Sequence, residues 1–212
     1  YPALKKITWD VLIVDEAHGL GCFGPSGAGL AEELGILDQV DILVAPLGKA
    51  AASSGALIAS KKVVIDYLIN KARPFIYTTA PAPACASAAL AAIRIIRQEP
   101  HRRRRLQDNA SFLRDRLKKM GLNIGSSTSQ IIPVIIGRSE KTLIAAKELE
   151  IKGFFILAIR PPTVPKGAAR LRISVQSGHT QEQLENLCCA IEKSMLLFRS
   201  WRGVFFCVFA CF

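Results

Sequence analysis

No C-x-x-C pair occurs in this chain, and none of its six cysteines (Cys22, Cys85, Cys188, Cys189, Cys207, Cys211) stands at metal-ligand spacing from its three histidines. The common zinc-site patterns are therefore excluded and no metal is expected. The cysteines read as small buried hydrophobes of a reducing compartment. Acidic residues are few: 17 Asp and Glu stand against 28 Lys and Arg, for a net charge of +11. The excess is concentrated in Arg102, Arg103, Arg104 and Arg105, within a segment that also holds Arg94, Arg97, Arg114, Arg116, Lys118 and Lys119. Leu106, Ala110, Leu113 and Leu117 recur there at helical spacing, which puts the arginines on a solvated helix face. Aromatic residues do not interleave with the run, as a single-strand binding platform would require. No nucleic-acid partner is expected.

Long apolar runs are lacking as well. The last ten residues are apolar apart from Gly203, too few to cross a bilayer, and extending the stretch back to Met195 takes in Arg199 and Arg202. Residues 201–212 read as an apolar, aggregation-prone tail, and no membrane partner is expected. A phosphate loop of the form G-x-x-x-x-G-K-[ST] is missing too. The letters DEAH at residues 15–18 bring nucleic-acid ATPases to mind, but the window around Lys49 lacks the first glycine and the hydroxyl after the lysine. That reading ranks last.

What is present is a pair of short apolar runs, each leading into polar chemistry. Val11-Leu12-Ile13-Val14 ends in Asp15-Glu16-Ala17-His18-Gly19, and Ile42-Leu43-Val44 leads through Ala45-Pro46-Leu47-Gly48 to Lys49. Such runs, bounded by glycine and proline, read as buried strands. In an open parallel α/β sheet, ligands sit at the carboxyl ends of the strands. An acid, an imidazole and an amine would then meet over one crevice. Pyridoxal 5'-phosphate (PLP) uses such a set: a lysine that bonds its aldehyde and a carboxylate beside its pyridinium nitrogen.

Half of the residues are hydrophobic, enough for one large or two small domains. Glycines 19, 21, 24, 27 and 29 form a turn without the G-x-G-x-x-G spacing, and read as close approach to a ligand or partner chain. A strand is expected over residues 55–59, a helix over 61–71 capped by Ser60, extended chain over 73–79, and helices over 82–97 and 101–120. Past the polar hinge at 125–129, strands are expected over 131–136, 154–158 and 171–175, with a helix over 142–152. Thr180 with Gln183 forms a capping box that opens a last helix. Residues 1–125 thus read as part of a large ligand-binding domain, 126–200 as a small α+β domain, and 201–212 as the tail. The chain starts Tyr1-Pro2-Ala3 without methionine and reads as a fragment.

With these pieces placed, residues 10–192 resemble the α-oxoamine synthases, PLP enzymes of the aspartate-aminotransferase fold. The resemblance rests on VDEAHGLG at 14–21, LGKA at 47–50, RPFIYTTAPAP at 73–83 and IRPPTVPKGAARLRIS at 159–174. Ile159 to Pro165 point to the branch that joins L-alanine to a pimeloyl thioester, with loss of carbon dioxide, in biotin assembly. The implied fold is α/β: the C-terminal part of a large domain, with a mixed, mainly parallel sheet and flanking helices, followed by a small α+β domain. The resemblance implies that Asp15 pairs with the ring nitrogen of PLP. It implies that His18 bonds the cofactor's phenolic oxygen or the acyl carbonyl. Lys49 carries the cofactor and moves the α-proton, and Thr79 reaches the phosphate in the partner subunit of a homodimer. Arg160 and Thr163 hold the substrate, the guanidinium suiting a carboxylate. A cytoplasmic enzyme is implied.

One departure stands out: the family's phosphate-binding threonine, three positions before the lysine, is here Pro46, with neither hydroxyl nor N–H. Besides the acyltransferase, a non-catalytic descendant of the same fold and an α-oxoamine synthase for another amino acid or acyl donor stay open.

Overall fold

The computed structural model describes residues 10–204. They divide into two compact units, the first ending at Arg104 and the second starting at Arg105. The division falls inside helix α5 (Pro100–Lys119).

The first unit is built on a three-stranded sheet of order β1-β2-β3: β1 (Ile13–Asp15), β2 (Ile42–Pro46) and β3 (Ala56–Ser60). β1 and β2 are parallel, with Asp15 opposite Val44. A parallel pair needs a crossover connection. Here it runs through the glycine-rich turn, α1 (Leu30–Glu33) and a 3-10 turn at Leu37–Gln39. β2 and β3 are antiparallel and joined by a tight turn, closed by Leu47 N–H to Gly55 O at 2.9 Å and Ser53 N–H to Leu47 O at 3.0 Å. Helices α2 (Lys62–Lys71), α3 (Arg73–Ile76) and α4 (Pro83–Gln98) follow. Leu47, Ala51 and Ala89 form a buried cluster with Leu20 and Ala92 packed on it, so the turns after β1 and β2 share one small core with α4.

The second unit is antiparallel throughout: β4 (Ile131–Gly137), β6 (Ala169–Ser174) and β5 (Leu157–Ile159) in the order β4-β6-β5. Helices α6 (Ser139–Ile151) and α7 (Gln181–Val204) accompany the sheet. Period-two alternation buries Leu171 and Ile173 of β6 and leaves Arg170 and Arg172 half-exposed. Pro133 is tolerated because β4 is an edge strand, where a missing N–H costs no ladder bond. Leu106, Ala110, Leu113 and Leu117 of α5 are all buried, at the helical spacing their sequence announces.

Several expectations need correction. Residues 73–76 are helical rather than extended: Pro74 lies in the first turn of α3, where its missing N–H is no loss. Ser60 does not cap α2. It ends β3 and donates its hydroxyl to Asp41 O at 2.5 Å, while Lys61 precedes the helix without a side-chain cap. Arg103 is buried rather than solvated. Its guanidinium donates to the carbonyls of Ile96 and Pro25, tying the start of α5 to the glycine-rich turn. β5 starts later than its sequence suggests, residues 154–156 lying outside the strand. Of the apolar tail expected over 201–212, residues 201–204 belong to the end of α7, and those from 205 on lie outside the described residues.

Candidate active site

Asp15 ends β1, and Lys49 follows the end of β2, the parallel neighbour of β1. Both side chains are exposed, as is His18 in the turn between them. What fixes these turns is the acid next to Asp15. Glu16 is only 2% exposed, and its carboxylate accepts the N–H of Ala31 at 2.7 Å, anchoring the first turn of α1. Glu16 O also accepts from Gly19 N–H at 3.0 Å and Leu20 N–H at 2.9 Å, so residues 16–20 coil directly off the strand.

The glycines of this turn close on the chain's own side chains. A Cβ at Gly19 or Gly29 would collide with the Glu16 carboxyl, one at Gly24 with Glu32, and one at Gly27 with Ile96 and Arg103. At Gly21, φ +74°, an added Cβ would lie 3.0 Å from the Cβ of Ala50, the residue after Lys49, so the bare glycine lets the two turns pack together. With Leu20 on the Leu47–Ala51–Ala89 cluster, this contact seats the His18 turn directly beside the Lys49 turn.

One Asp15 oxygen accepts the N–H of Ala17 at 2.8 Å, leaving acceptor capacity on the second oxygen. Lys49 sits in a turn closed by Ala52 N–H to Lys49 O at 3.0 Å, and no carboxylate pairs with its amine among the described residues. The nearby thiol of Cys22 is pushed up to about 11 by burial, so it stays protonated and is no rival nucleophile. Glu32 is shifted down: burial opposes the shift, but hydrogen bonds from Ser26 and Ala28 and the charge of Arg103 outweigh it.

Thr79 is exposed in the coil between α3 and α4. Two residues on, Pro81 comes within 3.9 Å of where a Cβ on Gly55 would lie, so this coil passes the far end of the Lys49 turn. Arg160 and Thr163 belong to the second unit. Both are exposed just after β5, in a turn closed by Thr163 N–H to Arg160 O at 3.1 Å. Asp15, His18 and Lys49 thus follow the carboxyl-terminal ends of the parallel neighbours β1 and β2, which form one rim of the first sheet. Glu16 and Arg103, which hold that edge in shape, were not foreseen, since an acid beside an acid and one arginine among four carry no distinguishing pattern.

Residues 5–191 match the family model of the class I and II aminotransferases. The 8-amino-7-oxononanoate synthase of Alkalilimnicola ehrlichii is 43% identical over 181 residues, 85% of this chain and 46% of its own length. The solved 8-amino-7-oxononanoate synthase of Francisella tularensis superposes with a TM-score of 0.81 at 29% identity, over 93% of this chain and 58% of its own. A serine palmitoyltransferase from S. paucimobilis, solved with a PLP–myriocin aldimine, superposes with a TM-score of 0.84 at 29% identity, over 88% of this chain and 48% of its own. The chain spans about half the length of the curated relatives it matches.

Proposed function

The chain belongs to the class I and II aminotransferase family, and on that premise we propose that it carries the lysine-bearing part of a PLP-dependent acyltransferase. The reaction joins L-alanine to a pimeloyl thioester, with loss of carbon dioxide, to give 8-amino-7-oxononanoate. The names of the relatives that match most of this chain support the reaction. The observation that carries the reading is the packing of the Asp15–His18 turn against the Lys49 turn at the ends of two parallel strands.

The donor set fits PLP at its ring. Asp15 offers a carboxylate with one oxygen still open to a donor, and Lys49 an exposed amine with no carboxylate partner among the described residues. At the phosphate arm the fit is thinner, since Pro46 supplies neither hydroxyl nor N–H three positions before the lysine. When bound, PLP supplies an electron-withdrawing ring that stabilises negative charge at the α-carbon of the amino acid. Asp15 holds the proton on the ring nitrogen. Lys49 takes the α-proton of alanine as general base. His18 donates a hydrogen bond to the acyl carbonyl, favouring the negative charge that builds there. Arg160 receives the alanine carboxylate in a charge-assisted pair, with Thr163 beside it. Thr79 donates to a phosphate oxygen in the partner subunit of a homodimer, and the setting is cytoplasmic.

The test is chemical. With PLP added, the purified chain should develop visible absorbance, and borohydride should fix the pyridoxyl group on Lys49. Labelling spread evenly over surface lysines, and unchanged in Lys49→Ala, would overturn the assignment. Consumption of L-alanine with pimeloyl thioester and release of carbon dioxide tests the substrates separately.

A further inference from the structure

Ala52 is the only residue other than glycine with a positive φ among the described residues, at +46°. A residue with a Cβ rarely takes this left-handed conformation, and it persists only where surrounding contacts fix the backbone. Ala52 stands three positions after Lys49, in the turn that joins β2 to β3. Its N–H donates to Lys49 O at 3.0 Å, Ser53 N–H to Leu47 O at 3.0 Å, and Leu47 N–H to Gly55 O at 2.9 Å. All three bonds are internal to the turn. They shape it but do not aim it.

Packing and a hydrogen bond both tie this turn to α4. Leu47 and Ala51 pack with Ala89 in the buried cluster. Apolar contact of this kind excludes water but is non-directional. The hydrogen bond is directional: the half-buried Ser53 hydroxyl donates to Cys85 O at 2.7 Å, across 32 positions of the chain. Cys85 lies in the first turn of α4, and a helical carbonyl keeps a second lone pair beyond the one used in the helix. Ser53 is thus pinned on one side of the left-handed residue, and Lys49 stands on the other. A swing of the turn about its apolar cluster would carry Lys49 away from the His18 turn, and the Ser53 bond opposes that swing.

We infer that Ser53 is a positioning residue for Lys49: its hydroxyl bond to Cys85 O holds the left-handed turn in the pose that keeps Lys49 next to the Asp15–His18 turn. The inference rests on the assignment of Lys49 to PLP. Ser53 acts through Lys49 and not on the cofactor.

Limiting PLP followed by borohydride, read by peptide mass spectrometry on the 212-residue chain, tests it. The readout is the ratio of pyridoxyl label on Lys49 to label on Lys61 and Lys118, which are exposed. Ser53→Ala should lower this ratio about tenfold, the effect of losing one orienting hydrogen bond. Ser53→Thr, which keeps the hydroxyl, should restore it. Ser53→Val matches threonine in shape without the hydroxyl and should behave like Ser53→Ala. A hydroxyl that only stabilised the fold would shift the urea midpoint and leave the ratio unmoved in the folded chain. Selective Lys49 label in the wild type, with an unchanged ratio in Ser53→Ala and Ser53→Val or a loss that Ser53→Thr does not restore, overturns the role of Ser53 and leaves the cofactor assignment standing. No selective label on Lys49 in the wild type overturns that assignment and the role of Ser53 with it.

Discussion

Two side chains show how position converts a residue type into a role. Arg160 follows β5 in a closed turn and is exposed, so its guanidinium can pair with a carboxylate without a buried partner. On the proposed assignment of Arg160 to the alanine carboxylate, Arg160→Lys replaces a planar two-pronged donor with a point charge and should cost alanine binding about 1.5–3 kcal/mol. Steady-state kinetics on the enzyme should show the alanine KM rising far more than that of the acyl donor. Equal rises would mean a structural role. His179 illustrates the opposite case, since burial lowers its pKa below the usual 6.5. A depressed folded-state pKa means that the unfolded chain holds the proton more readily. The contribution of His179 to stability is therefore full above about pH 6.5 and declines as pH falls toward the folded-state value. His179→Phe also removes the acceptor of the Gln176 N–H at every pH, so in urea melts between pH 5 and 8 the stability difference from the wild type should change with pH only at the acid end of that range.

Turns and helices here are held by single well-placed groups. The Thr180–Gln183 pair closes both bonds of a capping box, Thr180 N–H to Gln183 Oε1 at 2.9 Å and Gln183 N–H to Thr180 Oγ1 at 3.2 Å. This device was readable directly from the spacing, because both partners lie within one helical turn. The anchor of α1 was not, because Glu16 and Ala31 are 15 positions apart. Glu16→Ala leaves the Ala31 N–H buried and unpaired, and should destabilise the chain by about 1–3 kcal/mol. The loss should appear in chemical denaturation together with faster amide exchange in residues 16–33. An unchanged midpoint would show that the carboxylate is not what holds the turn.

At the scale of the whole molecule, the two units differ in how deeply their cores are buried. Leu113, Leu117, Ile132, Leu149, Leu171 and Ile191, all in the second unit, are fully buried, whereas β3 in the first unit leaves Leu57 and Ile58 about half exposed. Opening free energies follow buried apolar contact. Native-state hydrogen exchange should therefore show β4, β6 and α7 as the most protected segments and β3 as one of the fastest-exchanging. Uniform protection across both sheets would contradict this ordering.

The sequence by itself determined the order of the strands and of the longer helices, the seam of buried residues on α5, the cap of α7, and the placement of Asp15 and Lys49 at or just past strand ends. Each of these rests on a local period or on residues within a turn of one another, and such patterns survive without knowledge of the fold. Only the tertiary structure decided that the glycines at 19, 24, 27 and 29 close on Glu16, Glu32, Ile96 and Arg103 of the same chain. It also decided that Arg103 is a buried tie rather than a surface charge, and that the Ser53 hydroxyl reaches Cys85 O in α4. These outcomes depend on contacts between residues far apart in the chain, whose geometry is set by packing and leaves no period in the sequence to read.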